Sequence, residues 1–324
     1  MMSLCRSVIL AVAAILPAVG IAPAQAQDYP NQTIKLLITN PPGGLPDTVA
    51  RLYGRILETR LGQSIVIENR PGANGSVAVG AMLGAPANGY TLIVTDGGIY
   101  SANPALFSNL SYSEKDLKPM AILARAPLFL AVHPKVPVNT LAEFIAYAKA
   151  NPGKLNYGSS GIGSVHHFSV VAMNSALKLE MVHVPFKGTG ESVPALLGGH
   201  IDVLFSAFPS LSGAADTKQV KLLAANSAVR SSLAPNLPSI AELIPDYDYA
   251  PIIGIYGRTG TPEAAVQKIA NTVIEIAKDP ELISKLAIVG VEALGAGAAQ
   301  HEAALQAESK RSRALIEANG LKAK

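Results

Sequence analysis

The sequence predicts an α/β protein of two lobes, each a mostly parallel sheet flanked by helices. Three observations carry this. Short apolar runs of strand length alternate with stretches whose apolar residues recur at helical spacing. Glycine-rich turns recur where a strand gives way to a helix, at Gly43-Gly44, Gly72–Gly75 and Gly158–Gly163. The extended apolar stretch Met120–His133 is interrupted at Pro127 and is long enough to carry the chain from one lobe to the other.

Residues 1–26 read as a secretory signal peptide. They hold an early charge at Arg6, an apolar stretch Val8–Ala22 and the cleavage pattern Ala24-Gln25-Ala26. The single cysteine, Cys5, lies inside this segment, so the mature chain is expected to have no disulfide, cysteine ligand or cysteine nucleophile. The formal charge of +3 falls to about +2 without Arg6, and the Lys and Arg residues are scattered. That argues against a nucleic-acid partner, which needs a basic stripe. No later apolar run approaches the roughly 18 residues of a membrane span.

The first unit is a strand, Ile34–Thr39, then Asn40-Pro41-Pro42-Gly43-Gly44-Leu45-Pro46-Asp47-Thr48, then a helix through Leu57. Gly43 and Gly44 leave the backbone open to a ligand, and Pro46 suits a first helical position. Free N–H groups at a helix N-terminus suit a small anion. Asp47 would repel that anion, so it is expected to accept N–H bonds of its own loop or to fix a bridging water. A capped turn without a ligand is the plain alternative. Strands follow at Ser64–Arg70 and Thr91–Thr95, with a small-residue helix Ser76–Leu83 between them, and the second strand delivers the loop Asp96–Pro104.

Beyond Met120–His133, Thr140 caps a helix Leu141–Ala150 with Glu143 at capping-box spacing. A strand Lys154–Tyr157 feeds Gly158–Ser164, and a helix runs over Val165–Leu177. Strands at Glu180–Val184, Ile201–Ser206 and Lys221–Asn226 follow, with a helix through Leu197. The remainder holds a Pro-rich segment and two helices, Pro262–Lys278 and His301–Glu317, expected to pack on the first lobe. The predicted division is residues 27–124 plus 227–324 as lobe one and 125–226 as lobe two. Hinges fall near Ala124–Pro127 and Ala225–Ser227.

Gly158–Ser164 admits several chemistries. A dinucleotide fingerprint fails because its third glycine is His166, and a Walker loop lacks its Lys. Gly-x-Ser-x-Gly is absent, since Gly158-Ser159-Ser160-Gly161 is one residue short. A second anion cradle remains, built from Ser159, Ser160 and Ser164 with free N–H groups. Adjacent His166 and His167 point in different directions on a helix and have no acidic residue at metal spacing, so no metal is expected. His167 reads as a partner of the preceding loop, Asp202 as a strand-edge acceptor, and Lys187 as a steering cation or a solvated loop residue.

Several motifs together resemble a known family. They are Pro42-Gly43-Gly44-x-x-Asp47, Asn88-Gly89-Tyr90-Thr91-Leu92, Tyr157-Gly158-Ser159-Ser160-Gly161, Gly163-Ser164-x-x-His167, His183–Gly188, Leu197–Asp202, Pro235–Glu242 and Thr259–Pro262. In that order they are similar to the extracytoplasmic substrate-binding proteins of tripartite tricarboxylate transporters, the Bug-type receptors. The resemblance implies a type II-like, two-lobed periplasmic binding fold with two chain crossings at the hinge. It implies a monomer without cofactor that closes on a small mono- or dicarboxylate and delivers it to membrane permease subunits. It places Pro42, Gly43, Gly44 and Asp47 on one carboxylate, with Ser159, Ser160, Gly161, Gly163, Ser164 and His167 facing them. Ser101, Lys187, Gly188, Asp202 and Ser206 would line or shape the cleft. Leu45 and Pro46 depart from the family pattern, as does the missing aromatic near Ile252-Ile253, which leaves the ligand open. The rival from another class is a secreted α/β hydrolase or transferase, for which no nucleophile, base and orienter assemble.

Overall fold

The structure is a computed structural model and describes residues 29–320, so the expected signal peptide with Cys5 lies outside the described residues. The first unit forms as its pattern requires. β1 (Ile34–Ile38) leads through the glycine loop to α1 (Leu45–Leu61), where Val49, Ala50, Tyr53, Leu57 and Leu61 form one buried stripe. Gly54 lets this helix sit on β2 (Ile65–Asn69), because a Cβ there would lie 3.2 Å from Ile67. The buried Tyr53 hydroxyl donates to Leu123 O at 2.6 Å, which satisfies the one polar atom on the stripe.

The chain continues through α2 (Ser76–Leu83), β3 (Thr91–Asp96), α3 (Asn103–Leu106) and β4 (Leu117–Arg125), then crosses at Ala126-Pro127 into β5 (Leu128–Val132). The second lobe contains α4 (Leu141–Ala150), β6 (Asn156–Ser159), α5 (Val165–Leu177), β7 (Val182–Pro185), α6 (Thr189–Leu197), β8 (Val203–Ala207), α7 (Phe208–Asp216) and β9 (Lys221–Ala225). β10 (Ile252–Arg258), α8 (Glu263–Ile276), α9 (Pro280–Ile288), β11 (Glu292–Gly297) and α10 (Ala298–Ala318) follow and complete the chain.

Both sheets are mixed, where the sequence predicts mostly parallel ones. The first has the order β11-β4-β10-β3-β1-β2, with β1 parallel to β2 and β3 but β10 antiparallel to both β3 and β4. The second has the order β7-β6-β8-β5-β9, with β6 parallel to β7 and β8 but β5 antiparallel to β8 and β9. The physical reason is the hinge. A strand entering a sheet directly from the other lobe runs opposite to strands that return through helices, and β5 and β10 are those entering strands. Two buried clusters lie on the first sheet, one with α1, α8 and α9 and one with α2 and α10, so its central strands carry apolar residues on both faces.

The second crossing also differs from expectation. After β9 the chain stays on the second lobe, where Ile240 and Tyr247 join its core and Leu233 and Leu237 pack on its other face. It returns near Ala250-Pro251 rather than at Ser227, and Pro251 O accepts the Ala126 N–H of the first crossing at 2.9 Å. Asn226 joins these strands. Its side chain accepts from Leu128 N at 2.8 Å and donates to Ser169 Oγ and Tyr249 O. The sequence assigns α10 to the first lobe alone, yet its Leu315 and Ile316 sit in the core of the second. Apolar periodicity shows that a helix buries a face, but not which lobe covers each turn.

Candidate functional site

The carboxyl ends of β1, β2 and β3 present the loops Asn40–Gly44, Gly72–Gly75 and Gly97–Ser101 on one edge of the first sheet. These loops touch. Thr39 and Thr95 share a hydroxyl hydrogen bond, and a Cβ at Gly75 would lie 2.9 Å from Ile99. The ends of β6, β7 and β8 present Ser160–Ser164, Phe186–Gly188 and the start of α7. The lobes also touch beside the hinge. Leu106 of α3 lies 3.6 Å from a Cβ built at Gly163, and Pro209 of α7 lies 2.5 Å from one built at Gly290.

In the first loop the expected open amides are mostly engaged. Gly43 adopts a left-handed φ of 83° and donates its N–H to Asp47 Oδ2 at 2.9 Å, while Gly44 donates to Pro41 O at 3.1 Å. Asp47 is 3% exposed and is the anchor of the loop. It also receives Arg51 and Asn69 Nδ2, the latter at 2.9 Å, and Asn69 donates in addition to Asn40 O. Burial alone would raise the Asp47 carboxyl, but the bonds from Arg51, Gly43 and Asn69 outweigh it and hold the group below its ordinary value. Of the two roles considered for Asp47, the loop acceptor is the one observed. Among the described residues, the amides of Leu45 and Asp47 in the first turn of α1 donate to no other group. Donors for a guest therefore lie a step further into the helix than the glycines, and Pro42 is an exposed rim residue.

The second loop is braced in the same way. Gly161 and Gly163 have φ of 108° and 82°, conformations suited to glycine. The Gly161 N–H donates to Ser159 Oγ at 3.0 Å, the Ser164 N–H and hydroxyl donate to Gly161 O, and the Gly163 N–H donates to His167 Nδ1 at 3.2 Å. Ser164 caps α5 by accepting the His167 N–H. His167 thus partners its loop as read from the sequence, and accepting at Nδ1 puts its proton on Nε2. The expectation of free amides is corrected here too. Gly161, Gly163 and Ser164 spend theirs on Ser159 Oγ, His167 Nδ1 and the Gly161 carbonyl, which hold the loop in shape.

Tertiary packing adds His183 of β7, which its position in the sequence does not connect to His167. The rings lie 4.3 Å apart, His183 stacks on Tyr157 at 4.9 Å, and its Nε2 meets Ser159 Oγ at 2.6 Å. Ser160 Oγ meets His166 Nδ1 at 2.6 Å. Burial pushes His166 down to about 4 and, with the neighbouring His183, His167 also to about 4, so both are neutral at neutral pH. Among the described residues no carboxylate accepts from the second ring nitrogen of either serine-bonded histidine. These pairs therefore hold the loop and lack the orienter of a nucleophilic triad.

The remaining predicted residues separate into two groups. Ser206 is buried near the carboxyl end of β8 and its hydroxyl has no partner, while Lys187 is exposed beyond β7 and Gly188 starts α6. Asp202 and Ser101 do not face the site as expected. Asp202 precedes β8 at its amino end, where it accepts Asn156 N–H at 2.8 Å and pairs with Lys135 at 2.9 Å, a strand length from the cleft. The strand-edge reading of Asp202 holds and the cleft-lining one does not. Ser101 is fully buried, and its hydroxyl lies 3.1 Å from Gly97 O and 2.6 Å from Glu308 of α10. Glu308 carries no local signal, since on a polar helix it looks like a solvated charge.

No helix among the described residues is long and apolar enough to cross a membrane. The family described as tripartite tricarboxylate transporter family receptor matches residues 49–321. A UPF0065 protein of Cupriavidus necator, from the gbd 5' region, is 31% identical over 314 residues, covering 96% of this chain and 95% of that protein. The solved structure of R. palustris Rpa4515 with adipate is similar at 29% identity and a TM-score of 0.73, covering 90% of this chain and 99% of that one. MatC from Rhodopseudomonas palustris with bound malate is similar at 29% identity and a TM-score of 0.68, covering 89% and 100%.

Proposed function

The chain belongs to the tripartite tricarboxylate transporter receptor family, and from that premise we propose that it is a periplasmic receptor that captures a small organic carboxylate between its lobes. Relatives of this family are binding receptors, and two similar structures hold adipate and malate. The observation that carries the reading is the placement of two helix N-termini, α1 and α5, each behind a braced glycine loop at the carboxyl end of a sheet. First-turn amides and helix dipoles favour a carboxylate without a paired cation.

In this reading the glycine loops are scaffolds. Asp47 and His167 fix their shapes, so that the amides of Leu45, Asp47, Val165 and His166 stand ready when the lobes close. Preorganised donors lose little entropy on binding. Ser206 offers its hydroxyl from the base, and Lys187 raises the association rate of an anion from the rim. The paired crossings at Ala126 and Pro251 act as the hinge, and the closed form is what the membrane permease subunits accept.

Calorimetric titration against mono- and dicarboxylates, adipate and malate included, tests this. Saturable binding without product formation is the expected outcome. Product formation would favour the hydrolase or transferase class, and silence across the series would remove the receptor reading. Mass spectrometry of freshly purified, denatured protein identifies any acid that it retains.

A further inference from the structure

The loop before α5 presents one large apolar side chain that the binding reading does not use. From Gly158 to Ser164 the sequence holds only glycine and serine apart from Ile162. Ile162 is 71% exposed, although the loop is held on both sides of it. Gly161 and Gly163 take left-handed conformations, and their N–H groups are fixed by Ser159 Oγ and His167 Nδ1. A lone exposed isoleucine needs no explanation of its own. This one differs in where the loop puts it. The Ser164 N–H closes the turn on Gly161 O at 3.3 Å, so Ile162 stays within about 7 Å of Ser164, the cap of α5. The adjoining Gly163 lies beside Leu106 of α3, so the tip of the loop stands where the two lobes face each other.

We propose that Ile162 is a specificity-determining residue that packs on the carbon chain of the bound acid. It selects carboxylates with an apolar body over hydroxylated ones of the same charge. The proposal rests on the receptor reading for where the carboxylate sits. A carboxylate held by the first-turn amides of α5 points its carbon chain away from the helix end, past the residues that precede the cap. Ile162 is the large side chain there. The other side chains along that path are apolar as well. Leu45 and Val165, whose amides are among the donors for the guest, are half-buried first residues of α1 and α5, and Leu106 is half-buried across the gap. A guest with methylene or aromatic carbon removes this surface from water, whereas a hydroxyl on the chain would lose its own water against it. The β-branched side chain has few rotamers and the braced loop fixes its backbone, so little entropy is lost when the guest covers it.

The test uses the full mature chain as wild type, Ile162→Ser and Ile162→Leu. Each is titrated calorimetrically with butanoate, hexanoate and octanoate, with succinate, adipate and suberate, and with malate as the hydroxylated member. Ile162 is exposed and outside the helices and strands, so neither substitution opens the core. In the wild type, affinity should rise about threefold for each added CH2 along at least one series, and malate should bind more weakly than succinate. The heat capacity of binding should become more negative as the chain lengthens. Ile162→Leu should keep this gradient, and Ile162→Ser should reduce it to less than about 1.5-fold per CH2, so that the two variants diverge as the chain grows. If Ile162→Ser keeps the wild-type gradient, Ile162 does not touch the guest and the proposal is overturned. If Ile162→Ser weakens every acid by the same factor, Ile162 serves closure of the lobes, and the proposal is overturned equally. If none of these acids binds the wild type, the receptor reading fails and takes the proposal with it, a result distinct from binding whose gradient Ile162 does not control.

Discussion

Asp47 illustrates at the residue scale how a site can be recognised and its working atoms misplaced. The Pro-Gly-Gly-x-x-Asp spacing marks the loop, but only the folded loop shows Asp47 drawing in the Gly43 amide, Arg51 and Asn69 together. Asp47→Ala should therefore cost about 2 kcal/mol in urea unfolding, since it removes the charged acceptor that gathers Gly43, Arg51 and Asn69, and should also abolish carboxylate binding. Gly44→Val, by contrast, does more than cover an open backbone. A Cβ at Gly44 lies 3.1 Å from both Asn40 Cβ and Pro41 O, so the variant should distort the loop itself and show raised hydrogen exchange over residues 40–48. Titration extends the residue-scale argument. His166 and His167 are lowered to about 4 and the fully buried His301 to about 3, all chiefly by burial. A lowered folded value means that the unfolded chain binds protons first, so stability falls as pH drops from about 6.5 toward 4. Glu308 opposes this. Raised from 4.5 to about 7, it is protonated in the folded state and ionised in the unfolded one across that window, so its contribution falls as pH rises. Glu308→Gln removes the opposing contribution and should steepen the acid loss of stability by up to about 1.4 kcal/mol per pH unit between roughly 4.5 and 6.5, read from urea midpoints.

Elements were legible where one face is buried and local, as in α1, α2 and α5. They were missed where glycine performs a packing role. Ile252–Arg258 is an apolar run of strand length that the sequence reading leaves unassigned, and it carries Gly254 and Gly257. Gly254 is there because a Cβ would overlap the His301 ring, and Gly257 because one would lie 3.0 Å from Met120 and Thr261. A glycine that admits a neighbour is indistinguishable in sequence from one that makes a turn. β11 was missed for a related reason, being a short strand whose partner β4 lies far away along the chain, and the short helices α7 and α9 were left unassigned as well. The junction of β5, β9 and the return segment also rests on one distant side chain. Asn226→Ala leaves the buried Leu128 N–H without its acceptor and should lower stability by about 1–3 kcal/mol, measured by urea denaturation.

For the whole molecule, the relevant quantity is how the lobes are held apart or together. Glu292 of β11 receives Arg125 from the first crossing at 3.1 Å and also Ser231 and Ser232 from the segment packed on the second lobe. Beside it, Gly290 with φ of 77° lies directly on Pro209. Gly290→Ala places a methyl between the lobes, so small-angle scattering should show a larger radius of gyration with unchanged circular dichroism, and weaker carboxylate binding. A bound acid acts in the other direction. At about 100 times its dissociation constant it should stabilise the fold by about 2.7 kcal/mol, visible as a rise in Tm, because it binds only the folded chain. The sequence by itself determined the α/β alternation, the glycine loops at strand ends, the first crossing at Pro127 and the family motifs, since each is written in neighbouring residues. The tertiary structure alone decided the antiparallel entry of β5 and β10, the late return at Pro251, the reach of α10 into the second lobe, and which amides remain for a guest. Those depend on partners distant in sequence, and a hydrogen-bond donor is available only when every nearby acceptor has been accounted for.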